Sequence, residues 1–76
     1  MKLELFKYDA CPYCQRVMRV VNELGASVEM RDIRKNAADA QRLVEVGGRR
    51  QVPCLLIDGE PLYESADIIA WLREHF

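Results

Sequence analysis

Leu3-Glu4-Leu5-Phe6-Lys7-Tyr8-Asp9-Ala10-Cys11-Pro12-Tyr13-Cys14 is the stretch on which the fold turns. Its first five residues alternate, with Leu3, Leu5 and Lys7 on one side and Glu4 and Phe6 on the other, the pattern of a strand. Pro12 then fits the first turn of a helix, where its missing N–H costs nothing. Val17, Val20, Val21 and Leu24 follow at the i, i+3, i+4, i+7 spacing of one helical face. Gly25 stands where a helix end takes a left-handed residue. The predicted helix runs over 12–24, and the two cysteines lie at the join of strand and helix.

The same reading extends outward. Residues 27–33 alternate, with Val28, Met30 and Asp32 opposite Glu29, Arg31 and Ile33, and predict a second strand ending near Arg31. Asn36 is a good N-cap for a second helix. Ala37, Ala40, Leu43 and Val44 give that helix an apolar stripe, and Gly47-Gly48 stops it. An apolar run over 52–57, the turn Asp58-Gly59 and a partner strand over 60–63 read as a hairpin. Ser65 is expected to cap a third helix, with Asp67 in its first turn favourable to the dipole. Ile68, Ile69, Leu72 and Phe76 form the expected buried face, with Trp71 alongside. The order is β-α-β-α-β-β-α. A strand–helix–strand unit places its strands parallel by a right-handed crossover, and the hairpin adds antiparallel strands. An α/β sandwich with a four-stranded mixed sheet results.

A length of 76 residues leaves room for one domain, taken as 1–76. Half the residues are apolar and 30% are charged, too apolar a mixture for disorder. No apolar run approaches the roughly 20 residues of a membrane helix. The alternating N-terminus is unlike a signal peptide. A formal charge of −1 removes the simplest reason to expect nucleic acid. The three cysteines, Cys11, Cys14 and Cys54, are an odd number, so they form no complete disulfide framework. The expectation is a cytoplasmic chain with a redox or metal pair.

The first turn of a helix offers unpaired N–H groups and the positive end of the macrodipole, which stabilise a thiolate at Cys11. Cys14, one turn deeper on the same face, is expected to be more buried and less acidic. That asymmetry reads as an exposed nucleophile and a resolving thiol. A zinc site would need about four ligands, and the sequence offers only Cys54 and His75 besides the pair.

Three motifs together resemble a known family. Cys11-Pro12-Tyr13-Cys14 is similar to the glutaredoxin active-site sequence. Gln51-Val52-Pro53 resembles the Thr-Val-Pro segment of glutaredoxins and the Val-Pro of glutathione transferases. Leu62-Tyr63-Glu64-Ser65-Ala66-Asp67-Ile68-Ile69 looks like the Glu-Ser segment of transferase N-terminal domains. The resemblance covers essentially the whole chain and implies a thioredoxin-like three-layer α/β/α sandwich, with Pro53 in cis facing Cys11. It implies that the backbone of Val52, beside Gln51, pairs with the cysteinyl part of glutathione. Glu64 and Ser65 then hold the γ-glutamyl end, Asp67 assists with the ammonium, and Tyr13 packs on the ligand. Lys7, Arg49 and Arg50 are candidates for the glycine-end carboxylate. Two positions depart from the glutaredoxin pattern. Tyr8 stands where a lysine usually precedes the first cysteine, and Glu64-Ser65 stands where a Gly-Gly pair is usual.

The implied activity is glutathione-dependent thiol–disulfide exchange through Cys11 and Cys14. Glutathione is the co-substrate, with no permanent cofactor and no metal. The partners are disulfide-bonded or glutathionylated proteins, and the chain acts as a monomer. Two alternatives stay open: an electron donor linked to thioredoxin reductase, and a module holding an iron–sulfur cluster between two subunits. A transferase proper is not expected, since only the N-terminal part of that family is matched and the chain ends at Phe76. Cys54 reads as a small core hydrophobe or as a third redox thiol.

Overall fold

The computed structural model describes all 76 residues. The elements are β1 (Leu3–Lys7), α1 (Pro12–Leu24), β2 (Glu29–Asp32), α2 (Ala37–Gly47), β3 (Cys54–Ile57), β4 (Glu60–Leu62) and α3 (Ser65–His75). The sheet order is β2-β1-β3-β4. β1 and β2 are parallel, with Glu4 beside Glu29 and Lys7 beside Asp32. β3 runs antiparallel to β1, with Phe6 beside Cys54 and Leu3 beside Ile57, and β4 is antiparallel to β3.

Each face of the sheet carries its own core. Leu3, Leu5 and Leu55 meet Val17, Val20 and Val21 of α1 and Ile68 and Leu72 of α3. Phe6, Cys54 and Leu56 meet Ile33 and Leu43 on the α2 side. The alternation along β1 therefore sorts residues between two covered faces, and all five are buried. Glu4, at 2% exposure, is the residue the alternation does not account for. Its carboxylate lies between Arg42 of α2, 3.2 Å from Nη2 to Oε2, and Arg31 of β2, 3.3 Å from Nε to Oε1. This pairing ties α2 to the sheet.

The helix ends follow the sequence closely. Gly25 is left-handed at φ 63°, and the N–H groups of Gly25 and Ala26 donate to Asn22 and Val21 carbonyls. Asn36 Oδ1 accepts from the Ala38 N–H at 2.9 Å, and Gly48 closes α2 at φ 81°. Asp58 and Gly59 both have positive φ, as a tight hairpin turn requires.

Several expectations are corrected. The second strand covers Glu29–Asp32 and is carried on past Arg31 by its pairing with Lys7. The third begins at Cys54, because Val52-Pro53 forms a corner outside the ladder, and the fourth stops at Leu62. Ser65 is the first residue of α3. Glu64 holds the N-cap position, with no side-chain cap bond. Val44 and Phe76 are 45% and 47% exposed. Val44 is not among the residues packed on the α2-side core, and Phe76 is the residue that caps the end of α3.

Candidate active site

The site forms where β1 hands over to α1. After Lys7 the chain turns through Tyr8, Asp9 and Ala10, and the Cys11 N–H donates to the Tyr8 carbonyl at 3.2 Å. Cys11 is the N-cap of α1, and Pro12 opens the helix. The Cys11 Sγ accepts the Cys14 backbone N–H at 3.3 Å. The sulfur thus takes one of the otherwise unpaired donors of the first turn, at the positive end of the helix. Cys11 was expected to be exposed. At 5% exposure it is nearly covered, because the N-cap side chain folds back over its own helix. Cys14 is fully buried. Burial, with the Cys11 sulfur beside it, pushes its thiol up to about 12. The deeper position of the second thiol is as the spacing implied.

A cleft of about 480 Å³ opens beside Tyr13. Its walls are Tyr13, Gln51, Val52, Pro53, Glu64, Ser65 and Ala66. Six of the expected site residues, drawn from three separate stretches of the chain, therefore line one cavity. The Val52-Pro53 peptide is cis, as is Tyr63-Glu64. Gln51 Nε2 donates to Glu64 Oε2 at 2.9 Å and fixes the carboxylate at the cleft wall. Ala66 was not singled out. It lies in the first turn of α3 directly after Ser65, and its place within the quoted 62–69 motif was the available signal.

Cys11, Cys14, Lys7 and Asp67 do not line the cleft; the cysteine pair reaches it only through Tyr13, which stands between the two cysteines. Lys7, expected to offer a cation to a ligand, is buried with its ammonium 2.6 Å from Asp9 Oδ1 and 3.4 Å from Asp32 Oδ2. The bond to Asp9 holds the ammonium above its ordinary range and the Asp9 carboxyl below its own. Burial raises Asp32, but the N–H groups of Arg34 and Lys35 and the Lys7 charge outweigh it and leave it lowered. Asp67 is exposed on α3. Arg49 and Arg50 are exposed and stand outside the cleft wall, and Arg49 lies over the Tyr63 ring at 4.4 Å. Cys54 is fully buried in the α2-side core, and burial raises its thiol. No group of three or more His, Cys, Asp or Glu side chains is placed to hold a metal ion.

A sheet of this order, with a cysteine pair at the first helix and a cis-proline corner opposite the third, defines a thioredoxin-fold domain. The chain belongs to the glutathione S-transferase N-terminal domain family, whose model matches residues 5–76. It is 29% identical over 68 residues to glutaredoxin 3 of Escherichia coli K12, covering 90% of this chain and 82% of that protein. It is 36% identical over 70 residues to the chloroplastic glutaredoxin-C4 of Oryza sativa subsp. japonica, covering 87% and 52%. Among solved structures, a glutathione S-transferase from Methylobacillus flagellatus with glutathione bound superposes with a TM-score of 0.83 at 25% identity, over 99% of this chain and 37% of that one. The chain spans about a third of the length of the transferases it matches. The resemblance to glutaredoxins holds, and the similarity supports a member of the thiol–disulfide oxidoreductase class. No helix is long and apolar enough to cross a membrane.

Proposed function

We propose that the chain is a glutathione-dependent thiol–disulfide oxidoreductase in which Cys11 is the nucleophile and Cys14 the resolving thiol. The observation that carries this reading is the Cys11 sulfur at the N-cap of α1, accepting a backbone N–H, two residues before Tyr13, which lines a cleft with the Gln51-Val52-Pro53 and Glu64-Ser65 segments. Helix N-termini suit anionic sulfur and favour the nucleophilic form.

With a glutathionylated protein, the Cys11 thiolate attacks the glutathione sulfur. The protein thiolate leaves and takes up a proton, and glutathione stays on Cys11 as a mixed disulfide. A second glutathione thiolate attacks that sulfur, giving glutathione disulfide and restoring Cys11. With a protein disulfide, Cys11 first bonds to one protein sulfur and releases the other. Cys14 then loses its proton and attacks Cys11, which frees the second protein thiol and leaves a Cys11–Cys14 disulfide. Two glutathione molecules reduce that disulfide and become glutathione disulfide. The cleft suits the tripeptide. The Val52 backbone offers strand-like pairing. Glu64, held by Gln51, faces the ligand ammonium, and the open N–H groups of α3 at Ser65 and Ala66 face its α-carboxylate. The odd cysteine number and this chemistry favour a reducing compartment, the cytoplasm.

The test is a pair of single variants assayed with a glutathionylated peptide and with a protein disulfide. Cys11→Ser should lose both reactions. Cys14→Ser should keep deglutathionylation and lose dithiol reduction. Turnover of the glutathionylated peptide by Cys11→Ser would overturn the assignment.

A further inference from the structure

Two arginines outside the cleft stack on tyrosines next in sequence to site segments, in a way the reaction does not use. Arg34 lies over the Tyr8 ring at 3.7 Å, and Arg49 lies over the Tyr63 ring at 4.4 Å. Tyr8 directly precedes the turn that carries Cys11 and accepts its N–H. Tyr63 directly precedes Glu64 of the cleft wall. Both tyrosines rest on the same core of Phe6, Ile33, Leu43, Cys54 and Leu56, so the two guanidinium groups belong to the α2-side layer of the sheet. Both arginines are exposed.

Most of the other cations are already engaged. Lys7, Lys35, Arg31, Arg42 and Arg73 each hold a carboxylate. Arg34 and Arg49 hold none, nor do exposed Lys2, Arg16 and Arg19, but of these Arg34 and Arg49 alone are stacked on rings, and exposed Arg50 adds a cation beside Arg49. The nearby acids do not cancel this charge. Asp9 and Asp32 are occupied by Lys7 and Lys35, Glu64 is held by the Gln51 amide, and Asp67 lies in the first turn of α3. A guanidinium stacked on a ring keeps its planar fork free for a carboxylate and loses little further freedom on pairing.

We infer that the surface carrying Arg34 and Arg49 is a docking surface for the protein substrate, and that it selects polypeptides with carboxylates flanking the target cysteine. The inference rests on the proposed oxidoreductase reading and supplies its substrate class. The attraction acts between exposed charges, so it is screened by salt.

Three glutathionylated peptides of equal length test it, with Asp and Glu, Ser and Gln, or Lys and Arg around one cysteine. The wild-type chain should deglutathionylate the acidic peptide faster than the basic one, by about fivefold to tenfold in kcat/KM at low salt, the size expected of two exposed ion pairs. Arg34→Gln with Arg49→Gln should bring that ratio close to one, and so should 0.5 M salt, at roughly 4 Å of screening length. Because glutathione is common to all three peptides, its own charge cancels from the ratio. The same labelled peptides, with serine for cysteine, should bind in the same order by fluorescence anisotropy. Equal rates and equal binding for acidic and basic peptides overturn the inference and leave the redox reading standing. Preference for the acidic peptide in binding, with no turnover of any peptide, sustains the inference and sinks the redox reading. A preference that survives in the double variant also overturns it.

Discussion

Cys14 keeps its proton under ordinary conditions. With a thiol pushed up to about 12, almost none of it is thiolate at neutral pH, so it stays inert until Cys11 has formed a disulfide beside it. Limited alkylation at pH 7 followed by mass spectrometry should therefore label Cys11 and leave Cys14 unmodified. Labelling of Cys14 first would reverse their roles. The relative depth of the two thiols was legible, because three residues of helix set it. The near-burial of Cys11 was not, since it depends on the sulfur turning back to accept the Cys14 N–H. The fate of Lys7 was hidden for a different reason. Asp32, one of its two partners, comes from a strand 25 residues away, and only sheet register brings them together.

At the scale of elements, α2 depends on a missing side chain. A Cβ at Gly47 would run into the hydroxyl of Tyr63 and lie 3.2 Å from its ring carbon Cζ. Tyr63 is fixed there by its place between β4 and the cleft and by a 3.3 Å bond from its hydroxyl to the Arg49 carbonyl. Gly47→Ala should cost about 1–3 kcal/mol in chemical denaturation, the usual range for overpacking. Tyr63→Phe, which removes the nearest atom, should recover part of that cost in the double variant. Full additivity of the two changes would show that they do not meet. In the sequence Gly47 reads as a helix stop, and it does lie at the end of α2. Its second role, making room for Tyr63, joins residues 16 positions apart and has no local signature.

For the whole molecule, pH should erode stability from both sides. The Arg42 guanidinium holds the Glu4 carboxyl below its ordinary 4.5 despite burial, which pushes the other way. A lowered folded value means that the stabilisation is complete above about pH 4.5 and is lost as the pH falls below that and through the lower folded value. Glu4→Gln should flatten this acid limb and cost about 1.5–3 kcal/mol near neutrality, the range for hydrogen bonds to charged groups. At the alkaline end, burial holds the Cys14 thiol and the Tyr63 phenol up at about 12, against ordinary values of 9.0 and 10.0. The unfolded chain then gives up protons that the folded one keeps, so stability should fall from about pH 9 towards 12. Circular dichroism melts across the range read both limbs, and an alkaline limb unchanged in Cys14→Ser would remove Cys14 as its cause. The layering itself was legible from periodicity, down to the limits of α1. The Glu4–Arg42 pair across the second layer was not, because a lone acid in an alternating strand reads as a surface residue.

The two outer strands give the domain a last property. β4 has three residues with Pro61 at its centre, so its free margin lacks a continuous row of N–H donors. β2 carries Glu29 and Arg31, joined at 2.7 Å, along the opposite margin. Neither border offers a clean template for a neighbouring chain. A domain this small opens often, and with both borders guarded an opened copy closes on itself more readily than it stacks into aggregates.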